Sequence, residues 1–216
     1  MTSPGSGEQQ FNEGANSWHY DIGVPTIPGI FKTKEPAVKW KEYQENPPTD
    51  EQHKQWLNSG AYNGGVMILC GPVRYRKDRE GLFLVGIDLD KQKAIDEFCT
   101  RNGKTLSFQD DIAKKMLVEQ HEDCPARAHC FFYSPFRIPV KRPDSVIGIE
   151  IKSSPHDGLM RVTPSITEKG YPMKIIGITD PPWLSDSEAT DAGLADIYNL
   201  FCLLIKCNYM FVFLKT

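Results

Sequence analysis

Two aspartates stand at the end of an apolar stretch of the chain, where their side chains could hold a divalent cation. Residues 81–90 read GLFLVGIDLD, which is typical of a buried strand. Because side chains alternate between the faces of a strand, Asp88 and Asp90 point to the same side, with Cα atoms roughly 6.5 Å apart. Carboxylate oxygens are the ligands that Mg²⁺ and Mn²⁺ prefer. The pair predicts a metal site, although an aspartate at a strand end is also a common turn former or helix cap.

Two other apolar strands each carry one polar group of a suitable type. His129 lies within the apolar and aromatic run 128–134, and Glu150 lies within the run 146–152. Lys152 shares the face of Glu150, because one residue separates them, and would add positive charge for the triphosphate of a bound nucleotide. Three acids could hold two cations about 3.5–4 Å apart, an arrangement that neutralises the attacking and leaving oxygens in phosphoryl transfer. Taken singly, His129 also fits a core histidine, and Glu150 fits a strand residue that faces solvent.

The elements that must position these groups include both helices and strands. Thr49, with Gln52 three residues later, predicts the start of a helix that ends near Leu57. Helices are also predicted over 91–101 and 108–120, where apolar residues recur at helical spacing. Strands are predicted over 66–70, 81–90, 128–134, 146–152, 159–165 and 171–178. The turn at 156–158 favours strand 159–165 as the hairpin partner of strand 146–152, and the order of elements indicates an α/β or α+β layered fold.

The composition is that of a globular protein without a general attraction to polyanions. Of the 216 residues, 40% are hydrophobic and 25% are charged, and the formal net charge is −3. Any binding of nucleic acid must therefore depend on local basic patches. Six cysteines are scattered along the chain with no signal peptide ahead of them, which favours a reducing, cytoplasmic location.

Two basic clusters flank the strands that carry the acids. Arg74, Arg76 and Lys77 precede the central strand, and Lys141 and Arg142 follow the strand of His129. We predict that both clusters contact a nucleic-acid backbone. For the first cluster, an exposed hairpin tip is the structural alternative.

Three residues raise the question of a zinc site. His121, Cys124 and Cys130 could join as ligands, but their spacing is not the paired Cys-x2-Cys pattern of structural zinc sites. Buried thiols without a ligand are the alternative.

The two ends of the chain differ from the middle. Residues 1–16, rich in Ser, Gly, Glu and Gln, predict a disordered tail, and residues 17–184 predict the folded domain. Residues 185–216 are predicted as a helical and hydrophobic C-terminal segment. Within it, 198–214 is almost wholly apolar but slightly shorter than the about 20 residues of a membrane span. A buried last helix, a membrane anchor and an aberrant reading-frame end that truncates the protein are the alternatives, and no loop-charge pattern favours insertion.

Three apolar strands carry, in chain order, the Asp88/Asp90 pair, His129 and Glu150. This order resembles the motifs of the archaeo-eukaryotic primase superfamily, above all those of the N-terminal domain of its bifunctional primase–polymerases (prim-pol). That family has a hydrophobic strand ending in Asp-x-Asp, then a small-x-His strand, then a hydrophobic residue followed by Asp or Glu. The matching segments are Ile87-Asp88-Leu89-Asp90, Arg127-Ala128-His129 and Ile149-Glu150. Similar flanking segments at 39–56, 63–66 and 161–165 extend the resemblance from about Ile22 to Ile178.

The resemblance implies an α+β prim-pol fold, in which an RRM-like mixed β-sheet carries the catalytic residues beside a packed, smaller α/β unit. It implies that Asp88, Asp90 and Glu150 hold Mg²⁺ or Mn²⁺ and that His129 contacts the phosphates of the incoming nucleotide. Arg127 stands where the family usually has a small residue, often serine, and would contact the same phosphates.

The implied partners are a single-stranded DNA template and nucleoside triphosphates, and the resemblance also suggests a helicase. The sequence therefore predicts a DNA primase/DNA polymerase catalytic domain that performs template-directed nucleotidyl transfer. Two alternatives stay open. One is a nucleic-acid-binding replication-initiation module that has kept the fold without turnover. The other is a metal-dependent nuclease, because the same acids serve hydrolysis.

Overall fold

The structure, a computed structural model, describes residues 6–101, 112–135, 148–154, 156 and 158–183. Its helices are α1 (Ser6–Asn16), α2 (Asp50–Asn58) and α3 (Gln92–Arg101). A π-helical turn over Ser17–Asp21 extends α1, and short 3₁₀ turns cover Trp40–Gln44, Ala61–Gly64 and Lys77–Arg79. The strands are β1 (Thr26–Pro28), β2 (Val66–Leu69), β3 (Gly71–Pro72), β4 (Phe83–Leu89), β5 (Leu117–His121), β6 (Cys124–Ser134), β7 (Ile149–Lys152), β8 (Leu159–Val162) and β9 (Met173–Gly177).

The strands form two sheets. The smaller sheet has the order β1-β2-β8, and the larger has the order β3-β4-β6-β5-β9. Strand β6 pairs along one edge of β4, so β3 and β7 share its other edge, β3 at the start of β4 and β7 at its end. The pairs between these strands are antiparallel, and a parallel bridge joins Tyr133 to Trp183. The predicted α+β class is confirmed.

Side chains alternate between the two faces of β4, and each face contributes to a different hydrophobic core. Val85, Ile87 and Leu89 are fully buried on one face, where they pack in a cluster with Ile95 and Phe98 of α3. On the other face, the sheet packs against the smaller sheet and the N-terminal helices. Since Asp88 lies between Ile87 and Leu89, its side chain is on this second face, between the two sheets.

Gly86 allows the two sheets to approach closely. A Cβ atom at this position would lie 2.4 Å from Met160 Sδ and 3.0 Å from Cys70 Sγ. Met160 belongs to β8 of the smaller sheet and is 3% exposed. The missing side chain of Gly86 therefore lets β8 pack directly on β4, two residues before Asp88.

Local signals in the sequence correctly predicted several elements. The side chain of Thr49 accepts a hydrogen bond of 3.2 Å from the backbone N–H of Gln52, which confirms the predicted start of α2. Strand β4 and helix α3 also lie where they were predicted.

Three predictions of local structure differ from the structure. The predicted tail does not hold for Ser6–Asn16, which form α1 because Ala15 and the following Trp18 are buried in the second core. The predicted helix 108–120 is wrong at its end, where Leu117–His121 form strand β5 between β6 and β9. Strand β8 does not pair with β7 as a hairpin, because its partner is β2 in the other sheet.

Residues 198–214, the apolar stretch for which three alternatives were open, lie outside the described residues. In the described part of the chain, no helix is both long enough and apolar enough to cross a membrane.

Candidate active site

Four polar side chains form a row across adjacent strands of the larger sheet. In the strand register, Glu119 of β5 is opposite His129 of β6, His129 is opposite Asp88 of β4, and Asp88 is opposite Glu150 of β7. Residues directly opposite each other in an antiparallel ladder project to the same face, with Cβ atoms about 4.5–5.5 Å apart. Three separate predictions, Asp88, His129 and Glu150, are thus brought together in one row.

Glu119 is the member of this row that sequence reasoning missed. It is fully buried, and its Oε2 lies 3.2 Å from His129 Nδ1, while its Oε1 accepts a 2.6 Å hydrogen bond from the backbone N–H of Thr163. The carboxylate therefore orients the imidazole, whose Nε2 lies 3.6 Å from Asp88 Oδ1. If residues 117–121 are read as a strand, side-chain alternation places Glu119 and His121 on the same face. The predicted helix 108–120 does not indicate this shared face.

Each remaining acid of the site faces a basic side chain. Asp90 Oδ1 accepts a 3.0 Å hydrogen bond from Arg127 Nη2, and Glu150 Oε2 accepts one of 3.1 Å from Lys152 Nζ. All four side chains are partly exposed. The acids and the cations are therefore present in matched pairs at the surface of the sheet.

Burial and charge shift the pKa values in the row. Burial raises the pKa of Asp88, although the positive charge that His129 can carry opposes the shift. Burial likewise raises the pKa of Glu119 against the effect of its hydrogen bond with His129. Burial lowers the pKa of His129, but the hydrogen bond with Glu119 and the charges of Asp88 and Glu119 together outweigh it, so the pKa is raised. The protonation states of Asp88, Glu119 and His129 therefore depend on one another.

Asp88, His129 and Glu150 line a cavity of about 320 Å³ between the two sheets, whereas Glu119 lies behind His129 and does not line it. The larger sheet contributes the paired acids and bases to one wall, and the smaller sheet contributes Met67, Leu159 and Arg161 to the other. The segments 33–34 and 167–169 also line the cavity. Its volume falls at the lower end of the range of small-molecule pockets, about 300–1,000 Å³.

Three buried atoms on two further side chains of the cavity wall form no hydrogen bond with the described part of the chain. Neither ring nitrogen of His121, nor Oδ1 of Asp123, has a hydrogen-bond partner among the described residues, although these atoms are buried. Burial lowers the pKa of His121 to about 4, so the ring is neutral near pH 7. Unpaired buried polar groups are unusual in folded proteins, and here they line the same cavity as the acids.

The donor chemistry of this wall suits a hard divalent cation, since three carboxylates share one face of a cavity. In the described part of the chain, however, no group of three or more His, Cys, Asp or Glu side chains is placed to hold a metal ion. Two of the carboxylates instead form ion pairs, Asp90 with Arg127 and Glu150 with Lys152.

The zinc prediction fails on strand alternation. His121 and Cys124 are register partners at the β5–β6 turn, and His121 lines the cavity. Cys130 follows His129 directly, so it projects to the opposite face, where it is fully buried in the α3 core. The three side chains therefore lie on two sides of the sheet and cannot share one ion.

The basic residues predicted to bind nucleic acid have different surroundings. Arg76 is bound within the protein, since its guanidinium donates to the carbonyl of Asp21 at 2.7 Å and to both carboxylate oxygens of Asp180. Arg74 and Lys77 are exposed, and like Arg76 they are not among the residues that line the cavity. Lys141 and Arg142 lie outside the described residues.

A family model described as "Bifunctional DNA primase/polymerase, N-terminal" (Prim-Pol) matches residues 16–186, well over half of the chain. The chain belongs to the Prim-Pol family. Comparison with curated proteins gives no match. The matched range of the Prim-Pol domain includes the whole row from Glu119 to Glu150 and both sheets that enclose the cavity.

Proposed function

We propose that this Prim-Pol domain is a divalent-metal-dependent nucleotidyltransferase, which extends or initiates a strand on a single-stranded DNA template from nucleoside triphosphates. The observation that carries the proposal is the row of Glu119, His129, Asp88 and Glu150 on one face of the sheet, of which the last three line a cavity of about 320 Å³. A helicase partner and a cytoplasmic location stay predictions.

In this proposal, Asp88, Asp90 and Glu150 are the residues that hold Mg²⁺ or Mn²⁺. The bound cation would supply charge that stabilises the attacking 3′-oxygen and the leaving pyrophosphate. When the carboxylates take up this role, Arg127 and Lys152 lose their present partners. Their positive charges then become available to the triphosphate, for which arginine and lysine are favourable ligands.

His129 is the proposed phosphate contact of the incoming nucleotide. Its Nδ1 is occupied by Glu119, so Nε2 is the nitrogen directed at Asp88 and at the cavity. The two flanking carboxylates favour the protonated ring, which can donate a charged hydrogen bond to a phosphate oxygen. Glu119 itself is a positioning residue, because it acts through His129.

The test is incubation with a single-stranded template, labelled nucleotides and Mg²⁺ or Mn²⁺, with and without a primer. Extended products that disappear in Asp88→Asn support the proposal. Glu80→Gln is the matched control, since Glu80 is exposed and does not line the cavity. A folded wild-type protein that incorporates nothing under these conditions would exclude the proposed enzyme.

A second candidate function is favoured by the ion pairs of the site. Asp90 with Arg127, and Glu150 with Lys152, would leave the acids occupied in a nucleic-acid-binding replication-initiation module without turnover. Template binding of equal strength with and without Mn²⁺, together with no incorporation, would support this module. Shortened rather than extended strands would instead identify a nuclease.

A further inference from the structure

Two segments at the rim of the cavity, residues 30–34 and 167–171, carry exposed aromatic and basic side chains. Each segment also contributes to the cavity wall, the first through Thr33 and Lys34, the second through Thr167, Glu168 and Lys169. Anything bound on these segments would therefore lie next to the proposed nucleotide site.

The exposed apolar side chains of the described part of the chain are concentrated here. Four large hydrophobic residues are exposed, and three of them, Ile30, Phe31 and Tyr171, lie on the two segments. Phe31 and Tyr171 are each 49% exposed. Aromatic rings that stay half exposed beside a polar cavity are typical of a binding surface.

Hydrogen bonds and contacts hold both segments in place. Arg161 Nη1 donates a 3.0 Å hydrogen bond to the carbonyl of Ile30, and the backbone N–H of Thr167 donates one of 2.7 Å to the carbonyl of Tyr171. The segments also meet each other, since Lys32 Nζ lies 3.1 Å from the position that a Cβ would take at Gly170. A preformed surface of this kind loses little conformational entropy when it binds a ligand.

The two segments themselves carry three lysines and one glutamate, although the chain as a whole has a formal net charge of −3. Lys32 and Lys34 are exposed, and neither has a carboxylate within 4.0 Å among the residues that the structure describes. Lys169 lies 3.7 Å from Asp123, so part of its charge is offset. Glu35 and Glu168 are the opposing exposed acids on or beside the two segments.

We propose that Phe31, Lys32, Lys34 and Tyr171 form a rim platform that binds the single-stranded nucleic acid template beside the nucleotide cavity. Unpaired bases stack on aromatic rings regardless of their sequence, and lysines contact the phosphates between them. Duplex DNA would not offer its base faces to these rings. This proposal rests on the proposed function and adds where the template enters.

The aromatic side chains are tested by the affinity for a short fluorescein-labelled oligothymidylate, measured by fluorescence anisotropy without nucleotide. Phe31→Ala and Tyr171→Ala should each raise the Kd about 5- to 150-fold, the effect of losing one base–aromatic stack. Trp183→Ala is the matched control, because Trp183 is 48% exposed and lies outside the cavity wall. This control should leave the Kd unchanged.

The lysines are tested by the salt dependence of the same binding. Lys34→Gln should reduce the slope of log Kd against log salt by about 0.7, the value for one phosphate contact on a single strand. Lys93→Gln, an exposed lysine of α3 away from the cavity, should leave the slope unchanged. A smaller slope in Lys77→Gln but not in Lys34→Gln would overturn the platform in favour of the segment before β4.

The outcomes separate this inference from the proposed enzyme. Wild-type affinity in Phe31→Ala and Tyr171→Ala would overturn the platform, even if the protein extends primers. Loss of a concentration-dependent dimer in these variants, with unchanged oligonucleotide binding, would identify the surface as a contact between copies of the chain. Conversely, variant-sensitive oligonucleotide binding in a protein that incorporates no nucleotide would support the platform and exclude the enzyme.

Discussion

At the residue scale, the state of His129 depends on two carboxylates that approach it from opposite sides. Glu119 lies 3.2 Å from Nδ1, and Asp88 lies 3.6 Å from Nε2. Hydrogen bonds to a charged group contribute about 1.5–3 kcal/mol, more than neutral ones. We therefore expect the buried Glu119 to determine the position of the ring in the proposed phosphate site.

Glu119→Gln should weaken nucleotide binding about 10-fold or more, because the amide no longer supplies the negative charge that holds His129 in place. The amide oxygen can still accept from the Thr163 N–H, so the melting temperature should change little. Isothermal titration calorimetry with a magnesium nucleotide measures the first effect, and thermal unfolding measures the second. Glu122→Gln, on the exposed side of the same hairpin, is the control, and equal affinity in both variants would contradict the assigned role.

At the scale of elements, a buried polar cluster joins the π-helical turn, α2 and β1. His19 Nδ1 lies 3.2 Å from Thr26 Oγ1, and His53 Nδ1 lies 2.8 Å from Tyr62 Oη. The two imidazole rings stack with centroids 3.9 Å apart. Burial lowers the pKa of His19 to about 4 and that of His53 to about 3. Both rings are therefore neutral in the folded protein near pH 7.

The free energy of unfolding should fall as the pH drops below about 6.5, the ordinary pKa of histidine in an unfolded chain. Between this value and the lowered pKa values, the unfolded chain binds more protons than the folded one, so acid favours unfolding. By pH 5 the loss should be roughly 2 kcal/mol for each buried histidine. Urea unfolding at pH 7 and pH 5 measures it.

His53→Gln should show a flatter pH dependence than the wild type, because it removes one of the two buried imidazole rings. Parallel pH profiles for His53→Gln and the wild type would show that this cluster does not titrate as its burial requires.

Also at this scale, Gly86 determines how closely β8 packs on β4. Gly86→Ala should lower the free energy of unfolding by about 1–3 kcal/mol, the usual effect of overpacking a core. The added Cβ would lie 2.4 Å from Met160 Sδ and 3.2 Å from Phe131 Cε1. Urea denaturation measures the change. Gly7→Ala is the control, since a Cβ there meets nothing within 4 Å, and equal stability of the two variants would contradict the close approach.

At the scale of the whole molecule, Arg76 joins parts of the chain that are far apart in sequence. Its guanidinium donates to the carbonyl of Asp21 and to the carboxylate of Asp180, and lies 3.4 Å from Tyr133 Oη. The hydrogen bond with Asp180 raises the pKa of Arg76. The residue thus connects the end of the N-terminal helices, β6 and the segment that follows β9.

Arg76→Gln should destabilise the fold by about 1.5–3 kcal/mol, because the charged hydrogen bonds of a partly exposed group are lost. Oligonucleotide affinity should stay at the wild-type value, since Arg76 has no free charge to offer a phosphate. Urea unfolding and fluorescence anisotropy measure the two effects. Lys77→Gln should leave stability unchanged, and a loss of affinity without a loss of stability in Arg76→Gln would restore its predicted role in nucleic-acid binding.

Elements with a strong local signal could be predicted from the sequence. The Thr49 cap, the apolar run of β4 and the helical spacing in α3 are properties of neighbouring residues. Strand β5 falls at the end of the predicted helix 108–120, because Leu117 also continues the helical spacing of Ile112 and Met116. The sequence predicts a hairpin of β8 with β7 because this connection is the shortest, but β8 pairs with β2, and Met160 of β8 is buried.

By itself, the sequence determined that Asp88 and Asp90 share one face of a strand. It also determined that the strands with Asp88, His129 and Glu150 follow one another in the order of the family, and that the fold is α+β. Only the tertiary structure decided that Glu119 lies beside His129 and that Arg127 and Lys152 pair with the acids. It also placed the exposed Phe31 and Tyr171 beside the cavity. Side-chain alternation is a local property of the backbone, but neighbours across strands depend on long-range pairing, which is selected by burial of the whole core.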